Sequence, residues 1–333
     1  MTNLKSSAYL FLLLLTFGLA IGDVIEDKVG TTGFQFLKIG IGPREVALAG
    51  TSFAITEGPI SMYWNPAGIC SNQKYNISFY YNNWIATVDH SFVGVTAPLT
   101  LNDYMGISVN FLSMDKMEET TIDEPLGTGR EFSVYDYAAT LSYGRRISDR
   151  FNVGISAKYI AEKIWDLTAD GWAMDLGFTY RSRNIILGMT FANFGSNKEI
   201  SGKQLETEQQ IFPTYQNDEV LLSLKPQKIR LPSIFRFGAG YRFEFENLHK
   251  VLLLGDVVYH YDIGEKVDLG VEYVFMNNYM LRGGYQFNRE GFDWSFGLGI
   301  KAYVGSFELI IDYAAVNTKD FDIRHQTGLT FVL

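Results

Sequence analysis

The residues able to do chemistry are few and scattered. His90, His249, His260 and His325 fall on separate segments, with no HExxH spacing and no close pair that could hold a metal ion. Each reads as a surface histidine or one lining an interior. Cys70 is the only cysteine, so neither an intramolecular disulfide nor a thiolate metal cluster is available. His260 and Asp262, with serines elsewhere, could serve a hydrolase, but the chain has no nucleophile elbow to present a serine. No enzymatic activity is expected. Asp115, Glu118, Glu119, Asp123 and Glu124 could attract divalent cations or a basic partner, although a solvated charged loop accounts for them without a ligand. The many glycines form no phosphate-binding loop, and no cofactor is expected.

These residues sit in 333 positions of net charge −9, which argues against general nucleic-acid binding. Apolar residues make up 47% of the chain and aromatic residues 15%, with 20 Tyr and 25 Phe. Tyr and Trp favour the two membrane–water interfaces, where one part of the ring is dry and the other wet. Residues 1–22 read as a secretory signal peptide. Lys5 supplies the positive start, Ala8 to Thr16 the apolar core, and Ala20 and Gly22 the small residues before cleavage. No later run is long and apolar enough for a transmembrane helix.

From Tyr75 to Leu333 the chain is a train of short segments with period-two alternation. Thr327, Leu329, Phe331 and Leu333 fall on one face of the last segment, Gln326, Gly328 and Thr330 on the other. About fourteen such segments of roughly ten residues predict an antiparallel transmembrane β-barrel. The predicted gaps alternate in length. Those at 113–131, 162–170, 194–232 and 316–324 are long; those at 99–103, 144–150, 181–184, 276–278 and 303–306 are short. Long outside and short inside is the pattern of bacterial outer-membrane barrels, and it places both barrel ends in the periplasm.

The rows also assign faces. Phe235, Phe237, Ala239, Tyr241 and Phe243 oppose Arg236, Gly238, Gly240 and Arg242; Val267, Leu269, Val271, Tyr273 and Phe275 oppose Asp268, Gly270 and Glu272. Mid-strand charges cost a few kcal/mol facing lipid. Arg236, Arg242, Asp256, Asp268, Glu272, Glu308 and Asp312 are therefore expected to line the lumen and to pair across it. Fourteen strands enclose more space than their own side chains fill. The expected filling is a plug formed by residues 23–74, carrying short helices, one of them within Arg44 to Ala54 after Pro43. Arg44, Glu45, Trp64, Asn65, Pro66, Ala67 and Gly68 are its candidate residues. Asn65 either caps a turn at Asn65-Pro66 or takes part in gating.

Three stretches carry a resemblance: Phe36-Leu37-Lys38-Ile39, Gly42 to Gly50 (GPREVALAG), and Tyr63-Trp64-Asn65-Pro66-Ala67-Gly68. With 123–160 and Leu231 to Tyr241, they make the chain resemble the PorV/PorQ proteins, relatives of the FadL group of outer-membrane barrels. The resemblance implies a fourteen-stranded barrel with a hatch in which Asn65, Pro66 and Ala67 take part. It also implies a role in type IX protein secretion or cargo attachment, with secreted cargo or secretion components as partners alongside outer-membrane lipid. The apolar loop residues Ile211, Phe212, Tyr215, Leu221 and Leu222 would then contact a partner or ligand, or else fold over the barrel mouth. The alternative is FadL-type uptake of small hydrophobic molecules.

Overall fold

The computed structural model describes residues 28–85, 87–202, 205–209, 220–223, 228–245, 248–287, 292–318 and 321–333. Residues 1–22, Ile211, Phe212 and Tyr215 lie outside these. Strands β1 to β7 are Asn76–Asn83, Val88–Pro98, Asp103–Met114, Val134–Arg146, Phe151–Ile164, Leu167–Arg181 and Ile185–Gly195. Strands β8 to β14 are Ile234–Phe245, His249–His260, Gly264–Phe275, Tyr279–Phe287, Phe292–Val304, Phe307–Thr318 and Arg324–Val332.

Each strand pairs antiparallel with its chain neighbours, and β1 closes on β14 from Asn76↔Val332 to Asn82↔Gln326. The result is a closed fourteen-stranded barrel. Closure removes the free edges that would strand main-chain donors and acceptors in lipid.

The two faces follow the alternation. On β3, Met105, Ile107, Val109 and Phe111 are exposed, while Tyr104, Gly106, Ser108 and Asn110 turn inward. One rim carries the connections 99–102, 147–150, 182–184, 276–278 and 305–306. The opposite rim carries the connection 115–133 and the described residues between β7 and β8, which hold two small ribbons, Met117–Glu118 with Glu131–Phe132 and Glu206–Gln209 with Val220–Ser223. The main chains of Leu221 and Leu222 belong to the second ribbon.

The expected long gap at 162–170 is not a loop. β5 runs to Ile164, β6 resumes at Leu167, and Trp165 makes the turn in a left-handed conformation with φ 56°. Main-chain pairing between the two continues through Glu162↔Ala169 and Lys163↔Thr168. Its polar side chains read as loop, yet the ladder needs only main-chain groups.

Residues 33–70 fill the interior. They form 3-10 turns at Gln35–Lys38, Gly58–Ile60 and Pro66–Cys70, and two short helices, α1 Pro43–Ala47 and α2 Ser61–Trp64. The helix expected over Arg44 to Ala54 stops at Ala47. Ala49 (φ 58°) and Gly50 (φ 85°) turn left-handed, and the Gly50 N–H returns to the Glu45 carbonyl at 2.9 Å. Phe36, Ile41, Leu48, Phe53, Met62 and Ile69 of this plug are all nearly or fully buried. Glycines on the inner wall let it approach. A Cβ at Gly154 or Gly177 would collide with the plug at Asn65 to Ala67, and one at Gly188 would lie 2.6 Å from the Ala54 Cα.

Candidate functional site

The candidate site is the seam between plug and wall, with the cavities it leaves. Asn65 is extended at φ −158°, as the residue before proline prefers. Its Oδ1 accepts from the Ala67 N–H at 3.1 Å, capping the Pro66–Cys70 turn, and its Nδ2 donates to the Phe178 carbonyl of β6 at 3.1 Å. One side chain thus shapes the plug and ties it to the wall. Pro66, Ala67 and Gly68 are buried beside it. Trp64 donates from Nε1 to the Ile41 carbonyl at 2.8 Å, and the Arg236 guanidinium stacks 5.0 Å from its ring centre.

A charged network fixes α1 to the wall. Arg44 reaches Glu272 of β10 with both Nε and Nη2, at 2.9 and 2.8 Å. Arg282 of β11 joins the same carboxylate at 2.7 Å and Asp312 of β13 at 2.6 Å. Two guanidinium groups therefore balance two carboxylates, the arrangement a buried ion cluster requires. Glu45 is a fifth charge without a counterpart in that set. Burial pushes its carboxyl up to about 7 despite the pull of Arg44, and the Asp312 charge adds to the rise.

A second latch ties the plug near the long-loop rim. Lys38 Nζ and Thr32 Oγ1 both donate to Asp262, at 2.7 and 2.5 Å, in the connection between β9 and β10. Burial disfavours the Asp262 carboxylate. The hydrogen bonds from Lys38 and Thr32 and the lysine charge outweigh this and hold it below the usual carboxylate range. Asp262 is thereby engaged as a structural acceptor. In the acidic loop, Glu119 pairs with Arg130 at 2.6 Å.

The remaining lumen charges separate into two groups. Asp256 and Asp268 lie opposite each other in the β9–β10 register, both buried, with Lys266 3.7 Å from Asp268. Glu308 pairs with Lys301 at 2.7 Å, and Arg242 lines a cavity at the short-turn rim. Sequence reasoning missed Arg282, placed Lys38 only within a resemblance stretch, and weighed Asp262 only as a hydrolase candidate. Arg282 was within reach: Arg282 and Gln286 form a polar row on β11 opposite Leu281, Tyr285 and Phe287.

Three of the cavities among the described residues follow the seam. The one at the long-loop rim holds about 480 Å³ and is lined by Phe34, Phe36, Ile39, Trp84 and Leu112, with Lys38, Asp136 and Glu162 at its polar side. A central cavity of about 50 Å³ shares Lys38 and Trp84 with it and also meets Val46, Trp64 and Arg236. At the short-turn rim a polar cavity of about 560 Å³ meets Arg44, Glu45, Glu272, Arg282 and Asp312. Helix α1 separates the last two, with Val46 on the upper side and Arg44 and Glu45 on the lower.

No family model matches the chain, and no curated protein sequence does. Solved structures do. The toluene transporter TodX of P. putida aligns with TM-score 0.55 at 10% identity, over 88% of this chain and 97% of its own. The toluene transporter TbuX of Ralstonia pickettii aligns with TM-score 0.53 at 13% identity, over 88% and 97%. The CymD monoaromatic hydrocarbon channel aligns with TM-score 0.53 at 14% identity, over 88% and 96%. At these identities the likeness is one of fold, and it extends over nearly the whole length of each partner.

Proposed function

We propose that this chain is an outer-membrane barrel that admits small hydrophobic molecules, with the long-loop rim outside and the plug controlling passage. The observation that carries this reading is the aromatic cavity of about 480 Å³ at that rim. Its volume suits a small ligand, and its lining of Phe34, Phe36, Ile39, Trp84 and Leu112 suits an apolar one. The like-folded TodX, TbuX and CymD carry hydrocarbon ligands in their names, which supports the same class of cargo here.

Passage requires the plug to move. Helix α1 stands between the central and lower cavities, and Arg44–Glu272 holds it there. Displacing α1 would join the three cavities from rim to rim. Asn65, anchored to β6, would keep the rest of the plug in place while α1 shifts.

The secretion role implied by the PorV/PorQ resemblance rests on the resemblance alone, and three of the loop residues it draws on lie outside the described set. One experiment separates the readings. Purified protein in liposomes should accelerate entry of a labelled small hydrocarbon over protein-free liposomes. No acceleration, together with recovery of secreted cargo from the native membrane, would overturn uptake in favour of secretion.

A further inference from the structure

Two carboxylates give the rim cavity a chemical preference beyond hydrophobicity. Asp136 and Glu162 are direct partners in the β4–β5 register. Both belong to inward rows, Asp136 with Ala138 and Thr140, Glu162 with Ile160 and Lys158, and both line the cavity beside Phe34 and Phe36. Like charges directly opposite on one face of a sheet repel. Among the described residues no base is bonded to them, and Glu162 accepts a main-chain hydrogen bond from Phe34. Lys38 is the only lysine or arginine in the cavity lining among the described residues, and its ammonium is already bound to Asp262 at 2.7 Å.

An ionised carboxylate can only accept hydrogen bonds. An ionised carboxyl of this pair at the edge of an aromatic cavity therefore forms a receptor for a cation or a strong donor, while the ring faces offer a cation–π surface. We infer that the rim cavity selects apolar molecules bearing an ammonium or hydroxyl head and disfavours those ending in a carboxylate. The inference rests on the uptake reading and specifies its substrate class. An ammonium head would sit between Asp136 and Glu162 and relieve their repulsion, with the apolar body against Phe34, Phe36 and Trp84. A carboxylate head would bring a further negative charge to the pair and meet no free base.

Four probes of one shape test this by calorimetry on the folded protein in detergent: benzylammonium, benzyl alcohol, toluene and benzoate. Benzylammonium should bind at least about tenfold more tightly than benzoate, a difference of about 1.4 kcal/mol, with benzyl alcohol between them. The pair Asp136→Asn and Glu162→Gln should abolish that order. The comparison of ligands on the unaltered protein decides the matter even if the double variant fails to assemble. Benzoate binding as tightly as benzylammonium overturns the inference, as does an unchanged order in the double variant. If toluene binds without any preference among heads, only the head-group selection fails. If none of the four binds, the uptake reading falls with it.

Discussion

Arg44 of the plug and Glu272 of β10 meet through two guanidinium nitrogens, Nε and Nη2, and both carboxylate oxygens, 228 residues apart in the chain. Glu272 also holds Arg282, so the two partners are not equivalent. Replacing Glu272 with Ala leaves the buried Arg282 with Asp312 alone and Arg44 without its carboxylate, and should cost about 3–5 kcal/mol. Arg44→Ala leaves Glu272 paired with Arg282 and should cost clearly less. Urea midpoints of the refolded protein in detergent would rank the two. Arg44→Ala should also speed hydrocarbon entry into liposomes, because α1 loses its hold on the wall. Equal costs for the two variants would show that the network is not shared as described.

Asn65 predicts a sharper contrast at a single position. Asn65→Asp keeps an oxygen to accept from the Ala67 N–H but replaces the Nδ2 donor with an acceptor facing the Phe178 carbonyl. The turn should survive and the tie to β6 should not. Gly177→Ala attacks the same contact from the wall, since its Cβ would collide with the Asn65 side chain. Overpacking of this kind costs about 1–3 kcal/mol. Both variants should keep the closed barrel, seen as the altered gel mobility of unboiled protein. Both should expose the plug to added protease faster than the parent protein does. A plug as resistant as the parent's in both variants would remove Asn65 as its anchor.

The barrel was legible because period two is a local property. Leu281, Tyr285 and Phe287 against Arg282 and Gln286 state both faces of β11 within seven residues. The site was less legible because its bonds are remote in sequence. Lys38 and Asp262 are separated by 224 residues and meet only when the barrel closes around the plug. The pairing of Asp136 with Glu162 was hidden differently. Polar side chains near 162–170 read as a loop, while the main-chain ladder continued beneath them and brought the two into register.

Glu45 makes stability depend on pH. Its carboxyl is raised from 4.5 to about 7, chiefly by burial. The folded protein therefore holds a proton that the unfolded chain releases near 4.5. This contribution to stability is complete below pH 4.5, declines as pH rises, and is lost above about 7. At 1.36 kcal/mol per unit the loss is at most about 3 kcal/mol. Urea midpoints measured between pH 4.5 and 8.5 should fall in the parent protein and fall less in Glu45→Gln, where no proton is released. Identical slopes in the two proteins would show that Glu45 is not the group responsible.

The outward face of the strands makes its own test of membrane residence. Ile107 lies mid-strand on β3, 60% exposed in a row with Met105, Val109 and Phe111. If that row meets hydrocarbon, Ile107→Arg places a charge near the bilayer midplane and should cost about 2–4 kcal/mol. Leu101 is 78% exposed but lies in the 99–102 turn at the short-turn rim, where lipid gives way to water. Leu101→Arg should therefore cost no more than about 1 kcal/mol. Exposure alone predicts the opposite order, since Leu101 is the more accessible of the two. Unfolding from lipid vesicles would therefore show whether depth in a bilayer, rather than exposure, governs the cost. Equal penalties at the two positions would mean that no bilayer surrounds this wall.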